Sequence, residues 1–382
     1  MKIVHVYKDY FPPVRGGVEQ TIERMARWQV AAGHEVTVLV SASGSRSSRT
    51  EHVEGVRVVR VSEWARALSS PICPGFPAAL ARETADVWHL HNPNPLGEAS
   101  FQIVRPRGAL VLTYHGDVSR QRALLPVYGP LVHAIFRRAD GLHVTSPAQL
   151  ERKGSLVAPF KDRFQVIPLG IESDHLLALD RDRPGARALR ERFGDQHLLF
   201  VGRLRHYKGL HVLLDALVHV SGTLVIVGDG PMEGPLRAQA QDLGIADRVH
   251  FAGPVSDEVL LDHLAAAGIG MLPSSTPTEA FGLAMVEYMA SGLPVICTEL
   301  GTGTSFVNQH GETGLVVAAN DAFDLAQGIS KLLRDRELRE RMGRAGRERV
   351  RALFTTAAMM REVDRLYVDA LRLYATREPD RY

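Results

Sequence analysis

One short pattern, repeated along the chain, restricts the fold more than anything else: a brief apolar run, a loop of glycine, proline and polar residues, then a helical stretch. Ile3 to Tyr7 is such a run, and Gly16-Gly17 closes its loop before the helical pattern Val18 to Ala32. Gly33-His34 stops that helix and Glu35 to Val40 is apolar again. A strand, loop, helix and strand in this order is the unit of a doubly wound parallel sheet. Asp86 to His91, Ala109 to Thr113, Gly141 to Ser146 and Phe164 to Pro168 continue the series, with Ser146 placed to cap the next helix. A charged segment, Glu172 to Gly194, lacks a core pattern, and the series resumes at His197 to Val201, Thr223 to Gly228, Val249 to Gly253, Ile269 to Pro273 and Pro294 to Thr298. Ser256 is placed to cap a helix from Asp257. The expectation is an α/β chain of two such domains with a boundary near residue 170. Residues 41–50 read as a mobile loop and Val53 to Val61 as a strand or hairpin, while prolines 71, 74 and 77 break any pattern in residues 62–82.

Ligands of open α/β sheets collect beyond the carboxyl ends of the strands, so the loops there carry the candidate chemistry. Gly16 and Gly17 let backbone amides approach a ligand, with Glu19 at the helix start. His91-Asn92-Pro93-Asn94-Pro95 is a polar strand-end loop, and Tyr114-His115-Gly116-Asp117 follows another strand. In Gly202-Arg203-Leu204-Arg205-His206-Tyr207-Lys208-Gly209, two cations five residues apart suit a diphosphate. Residues 273–292 open with turn formers and close with a helical run. Glu279 lies just before the helix and Glu287 in its second turn, with unpaired N–H groups of Phe281, Gly282 and Leu283 able to face an anion. Each feature alone has a plain structural reading: solvated loop charges, a carboxylate favoured by a helix dipole, a core histidine. Gly301-Thr302-Gly303-Thr304 is a further hydroxyl-bearing loop.

Together these stretches resemble the retaining GT-B glycosyltransferases of family 4. Glu279 and Glu287 in the frame Pro-x5-Glu-Ala-Phe-Gly-Leu, the Gly-Arg-Leu-x3-Lys-Gly string, the His-Gly strand tip and the Gly-Gly-x-Glu loop are all similar to that family's motifs. The resemblance implies two Rossmann-like domains facing a central cleft. Residues 1–170 would bind the acceptor and 171–357 the nucleotide-sugar, with a helix at 358–382 crossing back to the first domain. It implies that Arg203 and Lys208 bind the donor diphosphate, that Glu279 contacts the sugar and Glu287 the ribose, and that His115 touches the transferred sugar. Gly16, Gly17, Gly253, Val255, Phe281, Gly282 and Leu283 would complete the donor site, and Glu19 and Asp117 would orient the acceptor. The loop at 301–304 is similar to that of mannosyl and rhamnosyl transferases of O-antigen and exopolysaccharide synthesis, which favours GDP-mannose. Arg203, Lys208 and a helix N-terminus can neutralise a leaving diphosphate without metal. Asp180-Arg181-Asp182 falls in the charged linker, so no metal and no other cofactor is expected.

Composition excludes several other classes. With 382 residues, 45% hydrophobic and 23% charged, the chain is long enough for two cores, and a net charge of +2 points to no nucleic acid. Cys73 and Cys297 sit in apolar settings, consistent with a reduced cytoplasmic protein, and the first strand begins at once, predicting no signal peptide. Arg120, Arg122, Arg137 and Arg138 flank an apolar stretch, Ala123 to Phe136, interrupted by Pro126 and Pro130. It fits a peripheral membrane contact toward a lipid-linked acceptor as well as an ordinary surface helix. The alternating Arg and Glu of residues 334–351 read as a solvated face. The alternatives are a UDP-sugar donor, a non-catalytic subunit of the same fold, and a sugar-nucleotide hydrolase or epimerase.

Overall fold

A computed structural model describes residues 1–14, 16–67, 70–116, 125–152 and 154–377. The chain divides into two compact units, Met1–Gly170 with Thr356–Tyr382, and Ile171–Thr355.

In the first unit the strands are β1 (Lys2–Val6), β2 (Glu35–Ser41), β3 (Arg49–Val53), β4 (Val56–Val61), β5 (Ala65–Ala67), β6 (Ser70–Ile72), β7 (Val87–Asn92), β8 (Ala109–Tyr114), β9 (Gly141–Val144) and β10 (Phe164–Val166). Eight of them form one sheet in the order β10-β9-β8-β7-β1-β2-β4-β3. Every pairing is parallel except the β3–β4 hairpin. The order runs outward in opposite directions from β1, so the switch point where a parallel sheet receives ligands lies between β1 and β7. Alternation sorts the side chains. Val4 and Val6 join the core with Leu90, Leu110 and Leu112 on one face, while His5 projects to the other. β7 and β8 are buried along their whole length, as strands covered on both faces must be.

The second unit holds β11 (Leu198–Val201), β12 (Leu224–Val227), β13 (Val249–Gly253), β14 (Ile269–Leu272), β15 (Val295–Glu299) and β16 (Gly314–Ala318). They form an all-parallel sheet in the order β13-β12-β11-β14-β15-β16. Its switch point lies between β11 and β14, the strands that feed the Arg203 and Glu279 loops. Leu198, Phe200, Leu213, Leu217, Ile226 and Ile296 fill its core. Ser256 caps the helix Asp257–Ala266 by accepting from the Val259 N–H at 3.4 Å, as its position predicts.

Three local expectations need correction. Ser146 caps nothing: its hydroxyl is buried without a partner among the described residues, and the side chain of Gln149 takes the amides of Thr145 and Ser146 instead. Pro126 and Pro130 do not interrupt the helix Leu125–Arg138. Pro126 sits in the first turn, where no N–H is needed, and burial of Val132, Ile135 and Phe136 outweighs the one bond lost at Pro130. On that helix Val132, Ile135 and Phe136 face the core and Arg138 is spent on the carbonyls of Phe101 and Pro106, while Val127 stays exposed. Arg120 and Arg122 lie outside the described residues. Finally, the arginines of residues 334–351 are not all solvated. Arg339 donates to the Leu332 and Leu333 carbonyls, Arg347 to Ala290 and Leu177, and Arg349 to Phe306 and Val307. They tie the helix Arg336–Arg349 across the ends of neighbouring elements by charge-assisted bonds.

Candidate active site

In the second unit, the predicted donor residues converge at the switch point. Arg203 follows β11 on an exposed stretch, and its guanidinium has no hydrogen bond or ion pair among the described residues. Lys208 is half-buried and lies 2.6 Å from the Glu279 carboxylate, which also accepts from Ser274 Oγ at 3.2 Å. Burial alone would lower the Lys208 pKa, but the charge of Glu279, with Tyr207, outweighs it, so the ammonium is held above its ordinary value. Gly209 makes this approach possible. It adopts φ +71°, and a Cβ there would stand 1.8 Å from the Pro273 carbonyl oxygen, so only glycine lets the Lys208 loop lie on the Pro273–Ser275 segment. The Ser275 N–H donates to Tyr207 O at 2.7 Å and ties the two loops together.

Gly282, at φ +82°, turns the chain into the helix Leu283–Ala290. Phe281 is buried edge-on to Phe354, so this position faces a ligand only through its backbone. The first N–H groups of that helix have no intrahelical acceptor, and Glu287 is half-buried in its second turn. Gly253 ends β13 and Val255 follows it, two strands from Arg203.

The 301–304 loop departs from expectation. Thr302 Oγ1 donates to the Glu279 carbonyl at 2.8 Å and Thr304 Oγ1 to Thr298 O at 3.3 Å, so both hydroxyls hold the protein together. With Ser274, Thr302 fixes Glu279 from two sides. Sequence reading missed both supports, because nothing in a lone Ser or Thr marks which carbonyl it will reach.

In the first unit, Gly16 is the residue preceding the helix Gly17–Ala31, and Glu19 folds back over it, buried, its pKa raised by burial. Asp117 lies outside the described residues. The asparagines of the 91–95 loop are buried and bonded in part within the loop. Asn92 Nδ2 donates to Glu98 at 2.6 Å and Asn94 Oδ1 accepts from Gly97 N at 3.2 Å. Glu98 beneath them is fully buried, and burial pushes its pKa up to about 7 against the hydrogen bonds that pull it down.

His115 stands at the tip of β8, buried, and is not alone. A line of imidazoles crosses the sheet: His5 Nδ1 to His91 Nε2 at 3.0 Å, then His91 Nδ1 to His115 Nε2 at 3.1 Å, with Gln29 Oε1 2.8 Å from His5 Nε2. A second line joins Tyr367, His89, Thr113 and His143. The alternation of positions 89, 91, 113 and 115 was the available signal. A clamp was also missed: Arg66 bonds both Asp9 and Glu63, at 2.7 Å each, from the segment that shows no sequence pattern. A depression lined by Gly194, His197, Thr223 and Arg248 opens at the opposite ends of β11 and β12, away from these groups.

Residues 186–349 match the glycosyl transferases group 1 family and residues 16–170 the glycosyl transferase 4-like domain. The chain is 34% identical to the D-rhamnosyltransferase WbpZ of Pseudomonas aeruginosa, over 93% of its length and 92% of that protein's. This chain is a group 1 glycosyltransferase. The glycosyltransferase is also 32% identical to the O-antigen chain mannosyltransferase C of Escherichia coli, over 97% of its own chain and 99% of the other. Among solved structures it superimposes on the sucrose-phosphate synthase of Thermosynechococcus elongatus with a TM-score of 0.79 at 26% identity, covering 98% and 99% of the two chains. Anabaena HepE in complex with UDP-glucose gives 0.76 at 19% identity, covering 96% and 98%, a likeness of fold. The architecture is therefore GT-B, two Rossmann-like domains with parallel sheets.

Proposed function

We propose that this glycosyltransferase moves a hexose, mannose from GDP-mannose, to a hydroxyl of a glycan or lipid-linked glycan in cell-surface polysaccharide synthesis, with retention of the anomeric configuration. The observation that carries the reading is the convergence of Arg203, Lys208, Glu279 and the Gly282 helix start at the switch point of the second sheet. Arg203 offers a planar fork and Lys208 a mobile cation for the diphosphate, and the helix start adds oriented N–H groups. The bond from the sugar's anomeric carbon to the phosphate oxygen breaks and a bond to the acceptor oxygen forms on the same face. The leaving phosphate takes the acceptor's proton. Positive charge held at the phosphate lowers that barrier, so no metal is assigned a role. Glu279 contacts the sugar, Glu287 the ribose, and the backbone at Gly253 to Val255 the base. Gly16, Gly17 and His115 contribute from the first unit, with Glu19 and Asp117 toward the acceptor.

Kinship with a rhamnosyl- and a mannosyltransferase favours the GDP-linked donor. HepE in complex with UDP-glucose keeps a UDP-sugar as the second reading. No helix of the described residues is long and apolar enough to cross a membrane, so a lipid-linked acceptor would be reached by peripheral contact from the cytoplasmic side. Thermal shift and released nucleotide, measured with GDP-mannose and separately with UDP-sugars, test the donor. Stabilisation and turnover with UDP-sugars alone would overturn it.

A further inference from the structure

We propose that Gln29, His5 and His91 are positioning residues that hold His115 in its Nε2–H tautomer, so that its bare Nδ1 accepts a hydrogen bond from a hydroxyl of the transferred sugar. The proposal rests on the reading of His115 as a sugar contact and supplies the direction of that contact.

The logic runs from one end of the line of rings to the other. The carbonyl oxygen of Gln29 can only accept, so His5 must carry its proton on Nε2. Burial lowers the pKa of His5 to about 4 and that of His115 to about 3, and His91 is likewise held well below its ordinary value, so all three rings are neutral at physiological pH. A neutral ring has one donor and one acceptor. His5 Nδ1 is then an acceptor, and the His91 nitrogen facing it, Nε2, must donate. His91 Nδ1 is in turn an acceptor and His115 Nε2 must donate to it. That leaves the lone pair of His115 Nδ1, a buried atom without a partner among the described residues. The Gln149 side chain donates to the His115 backbone carbonyl at 3.0 Å and helps fix the strand tip that carries the ring. Gln29 is held in its orientation because its amide N–H₂ donates to the Tyr367 hydroxyl at 3.2 Å. Setting a ring's tautomer through the bond on its other nitrogen is a general way of aiming a histidine.

The imidazoles of His5, His89 and His91 also lie close enough together to hold a metal ion. Each of their ring nitrogens already has a protein partner, in Gln29, Tyr367, Thr113, His115 or one another, so the cluster fits a hydrogen-bond relay better than a coordination site.

The test is nitrogen-15 spectroscopy of the full chain labelled at histidine, with rings assigned through single variants. At neutral pH, His5, His91 and His115 should each show a protonated Nε2 and an unprotonated Nδ1. Adding GDP-mannose or UDP-glucose, but not the bare nucleotide, should move the His115 Nδ1 signal toward that of a hydrogen-bonded acceptor. A protonated Nδ1 on His115 overturns the relay whatever the donor proves to be. The stated tautomer with no response to either nucleotide-sugar overturns the sugar contact instead. Gln29→Met, which removes the anchoring acceptor, should mix the tautomers and lower kcat/KM roughly 10-fold. Gln29→Glu, which keeps an acceptor facing His5, should restore both the single tautomer and most of the activity. A merely structural role for Gln29 would change thermal stability and leave the Nδ1 signal untouched.

Discussion

The strand ends of the two sheets are built with opposite electrostatics. In the first unit the polar groups at β1, β7 and β8 are neutral imidazoles bonded in lines, and its charged clamp of Arg66 with Asp9 and Glu63 is internally paired. In the second, Arg203 is exposed and uncommitted among the described residues, and Lys208 and Glu279 form a nearly buried ion pair. Neutral rings in a dry interior offer directed acceptors and donors without attracting an ion, which suits hydroxyl groups. Exposed and half-buried cations offer charge, which suits a diphosphate. The same sheet architecture thus presents two kinds of chemistry, because in one case the polar residues lie within the strands and in the other in the loops beyond them.

Acid should separate the units most strongly. His5 and His143 are lowered to about 4 and His115 to about 3, in each case by burial. Between pH 6.5 and 4 the unfolded chain therefore binds more protons than the folded one, and stability present at neutral pH is lost as the pH falls. By pH 5 the loss is roughly 2 kcal/mol per ring. Glu98 acts in the other direction. Raised to about 7, it destabilises the fold when ionised, and its protonation returns roughly 2 kcal/mol over the same range. His89 and His91, also lowered by burial, add to the loss, so it outweighs the return and falls on the first unit. Hydrogen exchange followed at pH 7 and pH 5 should show protection lost at β1, β7 and β8 first; earlier loss at β11 and β14 would reverse the comparison.

The next largest effect should come from Glu279→Gln, which lowers transfer by about 10²- to 10³-fold while nucleotide binding, read by calorimetry with GDP, changes little. Surviving transfer would remove Glu279 from its assigned role. Lys208→Met alone should also destabilise the protein, since Glu279 is then left nearly buried without its partner. The double variant should lose less stability than the sum of the single changes.

Much of this was legible in the sequence, and what was not has a common cause. The strand series, the two sheets' strand-end loops and the positions of Arg203, Lys208 and Glu279 follow from periodicity and glycine placement, which are local. The relay was hidden because His5, Gln29, His91 and His115 are brought together by strand order, and register decides which face each presents. His91 and His115 were visible as strand-tip residues, whereas His5 looked like part of an apolar run. The arginines at 339, 347 and 349 deceived for the converse reason. Their alternation with Glu is local and suggests solvent, but their partners are carbonyls at the ends of distant elements.

Two pairs of substitutions sharpen the contrast further. Arg203→Ala should weaken nucleotide-diphosphate binding by about 10-fold or more, since a charge-assisted bond contributes roughly 1.5–3 kcal/mol, and should leave the melting temperature unchanged. Arg347→Ala should do the reverse, lowering stability by about 1–3 kcal/mol through the carbonyls of Ala290 and Leu177 it leaves unpaired, with nucleotide binding intact. The smallest effect belongs to Thr302→Val. It keeps the shape of the side chain and removes only the hydroxyl that holds the Glu279 carbonyl at 2.8 Å, at a cost of about 1 kcal/mol. If Glu279 is aimed by its backbone support, kcat should fall several-fold with the KM for donor nearly constant. If Ser274 and Lys208 suffice to hold the carboxylate, kcat will stay at the wild-type value while stability drops, and Thr302 then belongs to the scaffold of the second unit rather than to the aim of its charges.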